Sequence, residues 1–376
     1  MKISEMLERE DLYPIIEHTL NNYFGFKEHQ ILKTQKNRKG TKFGYIYERL
    51  NAIVSRKPDK KVMEFLYTEY QTKQFFKRIL AQVYLRVLLH SSGLFADKVL
   101  KNNDDTELDN HILIYPCNKK IRIFNFNDNY IDVVVKDGFS NDLIAKEIKF
   151  REQHLSLHIL PITSKTQNSY REQIIDGIPL ARIINAKKYK ELKNKTLKIL
   201  KSEISTYKKN VDTKAYVEQL KTEFYKKING AGLEELKETY ETLSQIVLDN
   251  FEQIPVVLSH GDFHHGNVWI ENKTDIVYII DFETYSERSM FYDPYTLFHD
   301  LRTFDFHSTM IKLLKGGGSE VFGNQYIGGI LALILMEDFL FQTNDLAIFD
   351  NDSMQKEIIS YNFKVTKVIE KIKGND

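Results

Sequence analysis

The feature that most constrains the fold is a polar loop placed between apolar runs. Residues 259–267 read SHGDFHHGN, with apolar runs at 255–258 and 268–270 on either side. A further run at 275–280, apolar from Ile276 onward, leads to Asp281. Short β-branched runs next to Gly and Asp predict strands. We therefore expect strands 255–259 and 268–270 to hold the loop as a rigid hairpin, and the next strand to deliver Asp281.

The polar side chains of this region suit a proton transfer beside a hard metal ion. Asp262 and Asn267 have the D-x-x-x-x-N spacing of the kinase catalytic loop, in which the Asp accepts the hydroxyl proton and the Asn holds a metal ion. Asp281 supplies a further carboxylate, and such oxygens are the ligands that Mg²⁺ prefers. The spacing predicts Asp262 as the catalytic base, with Asn267 and Asp281 as magnesium ligands.

These residues allow two other interpretations. An Asp that follows Gly is commonly a turn residue, and only its context makes Asp262 a catalytic candidate. His260, His264 and His265 could form a zinc site, but a further well-spaced ligand pattern is missing and an Asp/Asn/Asp set prefers a hard ion. His260 is instead predicted to brace the loop through hydrogen bonds.

The two motifs together resemble the signature of a known superfamily. The segments HGDFHHGN at 260–267 and IIDFE at 279–283 are similar to the motifs of the aminoglycoside phosphotransferase and choline kinase superfamily. The resemblance implies a protein-kinase-like fold, Asp262 as base, and Asn267 and Asp281 as Mg²⁺ ligands. It also implies that Glu283 is a further acidic residue near the metal. His265 departs from the Pro often found at this position.

A nucleotide kinase of this type also requires a lysine for the phosphates. The strand at 130–136 ends in Lys136 and resembles the V-A-I-K strand of kinases. Glu147, in the helix predicted to follow, is the expected ion-pair partner, with Glu152 as the alternative. The alternative is that Lys136 is an ordinary solvent-exposed charge at the end of a strand. The strands predicted at 112–115 and 121–126 enclose a turn without Gly. Lys119 and Lys120 in this turn are candidates for contact with phosphate, but the favoured expectation is that both are exposed.

The resemblance also indicates where the adenine would bind. The hinge of kinases follows the last strand of the small sheet, which is predicted here at 169–175. Gln173, Ile174 and Ile175 are therefore the candidate base-binding residues, by backbone contacts. The alternative is an ordinary turn before a helix.

The predicted fold class is α+β, a bilobal protein-kinase-like fold with a small antiparallel-sheet N-lobe and a mainly helical C-lobe. Residues 1–108 are predicted to be a helical N-terminal extension, 109–178 the N-lobe with the nucleotide-binding sheet, and 179–376 the C-lobe with the catalytic loop and acceptor site. The apolar run at 326–336, which Glu337 and Asp338 follow, is too short to cross a membrane and is predicted to be a buried helix.

Composition and charge bound the partners. The 376 residues have a formal net charge of +1, which gives no bulk preference for nucleic acid or anionic membrane. Neither is therefore expected as a partner. Residues 1–108 are a candidate surface for a protein partner. The single cysteine, Cys117, excludes an intramolecular disulfide. The first ten residues lack the apolar core of a secretory signal, and a cytoplasmic location is the default expectation.

The sequence thus predicts an ATP-dependent phosphotransferase that moves the γ-phosphoryl group to a hydroxyl of a small molecule. The cofactors are ATP, with GTP as the alternative donor, and Mg²⁺. Aminoglycoside, choline-like, sugar and amino-acid acceptors all stay open. Two alternatives remain: a non-catalytic kinase-like protein of the spore-coat type that binds or assembles, and a nucleotidyl transferase on the same fold.

Overall fold

The structure of the chain is a computed structural model. It describes residues 3–27, 31–36, 42–70, 75–91, 93–104, 106–154, 156–205, 207–229, 233–299, 314, 326–344, 346 and 352–374. The chain forms two compact units. The first comprises Met1–Lys193 and Val268–Glu283, and the second comprises Asn194–Asn267 and Thr284–Asp376. The first unit is therefore built from two separate segments of the chain.

The first unit is organised around a nine-stranded antiparallel sheet. Its strand order is β1-β4-β2-β3-β5-β6-β7-β9-β8. The strands are β1 (Lys33–Gln35), β2 (Gly44–Tyr47), β3 (Ala52–Val54), β4 (Lys98–Lys101), β5 (Ile112–Pro116), β6 (Lys120–Asn125), β7 (Tyr130–Val135), β8 (Ile162–Lys165) and β9 (Ser169–Gln173). The predicted hairpin of β5 and β6 is present, and β7 continues it with Asn125 opposite Tyr130.

Helices cover both faces of this sheet because its strands are apolar on both sides. The helices are α1 (Ile3–Met6), α2 (Leu12–Phe24), α3 (Lys60–Glu69), α4 (Phe75–His90) and α5 (Asp142–Gln153). Along β7 the side chains alternate between the two faces. Val133 and Val135 pack in one core with residues of α3, α4 and α5. Val134 packs in the other core with residues of α1 and α2.

A second, three-stranded sheet completes the first unit. It has the order β10-β13-β14, and its strands are β10 (Gly177–Pro179), β13 (Val268–Glu271) and β14 (Val277–Ile279). The backbone N–H of Ile279 also donates to the carbonyl of His158 at 2.8 Å. This sheet fixes the segment that leads into Asp281.

The second unit is mainly helical. Its three-stranded sheet has the order β11-β12-β15, from β11 (Tyr207–Asp212), β12 (Gln253–Ser259) and β15 (Ser286–Ser289). The helices are α7 (Thr213–Ile228), α8 (Glu235–Asn250), α9 (Tyr292–His299), α10 (Ile327–Gln342) and α11 (Asp352–Lys373), while α6 (Ala186–Ile199) contains the boundary at residue 193. The predicted buried helix corresponds to α10, which is mainly apolar and whose residues Gly328–Leu340, including Glu337 and Asp338, are buried.

The predicted α+β class, with an antiparallel sheet in one part and a mainly helical second part, is confirmed. Two details differ from the prediction. The strands before and after the polar loop, β12 and β13, belong to different sheets and do not form a hairpin. Residues 1–108 are not a separate helical extension, because β1–β4 continue the sheet that β5–β9 form. In the described part of the chain, no helix is both long and apolar enough to cross a membrane.

Candidate active site

The first unit contains a buried lysine, Lys120, whose ammonium group contacts three carboxylates. Its ammonium lies 3.2 Å from Glu147 Oε2, 2.5 Å from Asp281 Oδ1 and 2.8 Å from Glu283 Oε2. Its side chain is only 3% exposed. Burial disfavours the charged form, but the carboxylates of Asp281, Glu147 and Glu283 outweigh this effect and raise the pKa of Lys120 well above its usual value. The side chain is therefore a permanent cation.

This arrangement corrects the predicted pairing of Lys136 with Glu147. Lys136 instead donates to Glu10 Oε1 at 2.6 Å and to the carbonyl of Asn118 at 2.8 Å. The reason is strand alternation: Val135 faces the core on the α5 side, so Lys136 falls on the opposite face, near Met6 of α1.

The same register places Lys120 on the α5 face. Lys120 is the cross-strand neighbour of Val135, and directly opposite residues of an antiparallel pair share a face. The expectation that Lys120 is exposed was therefore wrong. Its position could have been found by counting the ladder back from the tight turn between β6 and β7.

The buried pair of Glu10 and Lys136 makes a prediction about stability. Burial raises the pKa of Glu10 against the opposing effect of Lys136, and it lowers the pKa of Lys136 against the opposing effect of Glu10. Removing one partner leaves the other charge buried, which costs about 3–5 kcal/mol. We expect Lys136→Met to lower the urea midpoint strongly and Glu10→Gln/Lys136→Met to recover most of the loss. A double variant as unstable as the single one would contradict this account.

Glu147 is fixed on α5 by a second set of ion pairs. Arg151 Nη2 lies 2.8 Å from Glu147 Oε1, and Arg151 Nη1 lies 2.5 Å from Glu172 Oε2. Burial alone would raise the pKa of Glu147, but Lys120 and Arg151 reverse the effect and lower it. Glu147 therefore stays ionised and holds the Lys120 ammonium in one position.

Asp281 and Glu283 form the more accessible side of this cluster, with side chains 21% and 17% exposed. Arg122 Nη2 approaches Asp281 Oδ2 at 3.3 Å. The backbone of Asp281 has φ +70°, a left-handed conformation that is uncommon for a residue other than Gly and recurs at functional sites. Phe282 anchors the segment, because its ring stacks on the ring of Phe150 with the two ring centroids 4.3 Å apart.

The donor set of this cluster suits a magnesium ion. Two carboxylates converge on the Lys120 ammonium, and hard oxygen donors placed close together favour a hard cation. Within the described ranges, no group of three or more His, Cys, Asp or Glu side chains could hold a metal. Mg²⁺ does not require one, because it keeps several waters and takes one or two carboxylates.

In the second unit, the loop that carries Asp262 is held by its backbone. The carboxylate of Asp293, at the start of α9, accepts from the N–H groups of His260 at 2.7 Å and Gly261 at 3.0 Å. Gly261 has φ +83°, and a Cβ there would lie 2.5 Å from the carbonyl of Thr284. Only Gly fits this position.

Asp262 and Asn267 contact each other as the loop closes. Asn267 Nδ2 donates to the carbonyl of Asp262 at 2.9 Å and lies 3.4 Å from its Oδ2. The N–H of Asp262 donates to Nδ1 of the buried His260 at 3.3 Å. His264 Nε2 lies 3.7 Å from Asp262 Oδ1. The Asp262 side chain is 18% exposed, so its carboxylate is positioned and still accessible.

A small pocket adjoins Asp262 within the second unit. It is lined by Gly261, Asp262, His264, Tyr292, Thr296, Asp338, Phe341 and Gln342. Asp338 of α10 is buried and accepts from Tyr361 Oη at 2.6 Å and from Tyr292 Oη at 3.2 Å. Asp338 was not a candidate from the sequence, because it follows an apolar run that indicates core.

The predicted base-binding residues lie at the end of β9 and directly after it, in the first unit. Gln173 is the last residue of β9 and is exposed. The N–H of Ile174 donates to the carbonyl of Asn129 at 3.2 Å, and the side chain of Ile174 packs against the core on the α5 side of the sheet. Ile175 is half-buried. Their contact with a base stays a prediction.

Comparisons with known proteins bear on the superfamily. The model of the choline/ethanolamine kinase family matches residues 135–311. This stretch of the chain is therefore similar to the choline/ethanolamine kinase family. The predicted superfamily, one of small-molecule kinases, is thereby confirmed.

Solved structures of this superfamily are also similar to the chain. Ethanolamine kinase from Plasmodium vivax is 15% identical, over 82% of this chain and 94% of that chain, with a TM-score of 0.46. A choline/ethanolamine kinase family protein from Mesorhizobium loti is 10% identical, over 70% and 87%, with a TM-score of 0.45. The search of curated proteins found no match.

Proposed function

We propose that the protein transfers the γ-phosphoryl group of ATP to a hydroxyl group of a small molecule. The observation that carries this proposal is the Lys120 cluster, in which one buried ammonium contacts Glu147, Asp281 and Glu283. Burying these charges together is costly and gives little stability, so their presence at one point favours a functional role. The match to the choline/ethanolamine kinase family supports the same reaction.

In this proposal each residue of the cluster has one task. Lys120 takes the role that the sequence suggested for Lys136 and neutralises the nucleotide phosphates, while Glu147 holds its ammonium. Arg122 adds a second cation beside Asp281. Gln173, Ile174 and Ile175 contact the base through the backbone. Such positioning and charge neutralisation supply most of the catalysis in phosphoryl transfer.

Asp281 would hold magnesium in the first unit, with Glu283 close by. Asn267 is proposed as a magnesium ligand on the loop of the second unit. The bound ion would neutralise charge on the phosphate oxygens. Asp262 accepts the proton of the acceptor hydroxyl as its oxygen attacks phosphorus, and the bond between phosphorus and the bridging oxygen of ADP breaks. His260 supports the loop from which Asp262 acts.

The acceptor that the pocket favours is a small amino alcohol with a cationic nitrogen. Asp338 is a buried carboxylate in the wall of the pocket that contains Asp262. Tyr292 and Phe341 add aromatic rings to the same wall, and such rings attract alkylammonium groups. The family model that matches residues 135–311 is that of the choline/ethanolamine kinases.

The reaction is tested by incubating the protein with Mg²⁺-ATP and one acceptor at a time, followed by mass spectrometry of the products. The acceptors are ethanolamine, choline, an aminoglycoside, a sugar and an amino acid. We expect one phosphoryl group to be gained by an amino alcohol. Gain of a nucleotidyl group would identify a nucleotidyl transferase. No turnover, together with no thermal stabilisation by Mg²⁺-ATP, would identify a non-catalytic binding protein.

The role of Asp338 has its own test. We expect Asp338→Asn to raise KM for the amino alcohol about tenfold to a hundredfold, because a hydrogen bond or ion pair to a charged group is worth about 1.5–3 kcal/mol. KM for ATP should not change. A neutral alcohol of the same size serves as the control acceptor. An equal rise in KM for both acceptors would contradict a contact with the cationic nitrogen.

A further inference from the structure

One face of α4 exposes a continuous apolar stripe, which we call the α4 stripe. The exposed fractions of its side chains lie between 44% and 80%. The residues recur at three- and four-residue intervals, as one helix face requires: Phe76, Ile79, Leu80, Val83 and Val87. Large contiguous apolar surfaces of this kind mark interaction sites.

The opposite face fixes α4 on the first unit. Leu85, Leu88 and Leu89 are buried and pack in the core on the α5 side of the sheet. A helix with one apolar face uses it to pack on the core, whereas α4 carries a second apolar face. The packing of α4 on the core therefore does not account for the exposed apolar stripe.

The turn after α4 extends the apolar surface. Leu94 and Phe95 are 64% and 49% exposed. Gly93, before them, has φ +82°, and a Cβ there would lie 2.0 Å from the ring of Tyr45. The turn can thus form only with Gly at this position, and it places two further large apolar side chains next to the end of the helix.

The charged residues of the segment that carries the stripe have one sign. Residues 70–96 contain four Lys and Arg residues and no Asp or Glu. Lys77 and Arg86 are exposed, and at 3.6 residues per turn they border the stripe on its two sides. An apolar stripe bordered by cations is the pattern of helices that lie in the interface of anionic membranes.

We propose that the α4 stripe docks the protein on an anionic lipid bilayer, with α4 parallel to the membrane plane. The apolar side chains enter the boundary between headgroups and acyl chains, and Lys77 and Arg86 meet lipid phosphates. Pairing of the stripe with a second copy is disfavoured because it would bring like charges together. The expectation of no membrane partner was based on the net charge of +1 for the whole chain. That value does not show the local excess of positive charge in residues 70–96.

The test is flotation of the full chain with phosphatidylcholine vesicles that either contain or lack phosphatidylglycerol. We expect binding to the anionic vesicles only, and weaker binding at high salt. Leu80→Ser/Val83→Ser should lower the partition coefficient at least tenfold, since it removes apolar surface from the stripe. Lys77→Gln and Arg86→Gln should each lower it about fivefold.

Leu157→Ser is the matched control, because Leu157 is 87% exposed and lies outside the stripe. It should bind as the unchanged protein does, and all variants should keep the unfolding midpoint of the unchanged protein. Three results would overturn the proposal. They are no binding to anionic vesicles, equal binding to both kinds of vesicle, and a dimer in solution that Leu80→Ser/Val83→Ser dissociates.

Discussion

Replacing Asp262 with Asn is expected to lower kcat by about 10²–10⁴-fold, the range that general base catalysis contributes. The asparagine keeps an oxygen that can accept from Asn267 Nδ2, which lies 3.4 Å from the carboxylate. The loop is held by Asp293 through the backbone of His260 and Gly261, so its geometry should persist. The decrease in kcat would then be caused by the loss of the catalytic base.

The measurement is steady-state phosphotransfer, together with thermal stabilisation by Mg²⁺-ATP. Stabilisation by Mg²⁺-ATP should remain, because Asp262 is not assigned to the nucleotide. The matched control is Asp249→Asn, an exposed residue of α8 that accepts from Gln245 at 2.7 Å. It should leave kcat unchanged. If Asp262→Asn retained a third or more of kcat, Asp262 could not be the base.

The second large effect separates the two buried lysines. Lys120→Met should lower kcat/KM for ATP by about 10²–10³-fold, the loss typical of removing one preorganised charge donor. Lys136→Met should leave kcat/KM for ATP unchanged, although it lowers stability, because Lys136 pairs with Glu10 on the other face of the sheet. The two variants make the same chemical change at two buried sites.

Assays below the unfolding temperature of both variants keep stability out of the comparison. Glu147→Gln provides an independent readout, since Glu147 positions the Lys120 ammonium at 3.2 Å. It should reduce kcat/KM for ATP less than Lys120→Met does. A loss of ATP use in Lys136→Met without a comparable loss in Lys120→Met would return the phosphate role to Lys136.

The parts of the site predicted from sequence are those whose chemistry is local. Asp262 and Asn267 lie in one short loop, and their spacing alone indicates that they contact each other. In the structure, Asn267 donates a hydrogen bond to the carbonyl of Asp262. Asp281 follows a strand that the apolar pattern predicts. In each case the residues are adjacent in sequence, so no tertiary pairing has to be known.

The parts that sequence could not provide depend on register or on distant packing. Lys120 lies opposite Val135 only through the β6–β7 ladder, and the local pattern could not distinguish it from an exposed turn lysine. Asp338 becomes a pocket residue through contacts with Tyr292 and Tyr361, on other helices. The strands β1–β4 are three or four residues long, which is too short for a periodic pattern to be recognised.

The discontinuity of the first unit has a consequence for synthesis on the ribosome. The unit needs Val268–Glu283, yet these residues emerge only after the Asn194–Asn267 segment of the second unit has been made. At typical translation speeds the delay is on the order of ten seconds. During that time Lys120 has Glu147 but neither Asp281 nor Glu283 beside it, so a nascent chain cannot complete this charge cluster. A fragment that ends at Lys193 would carry the same defect permanently.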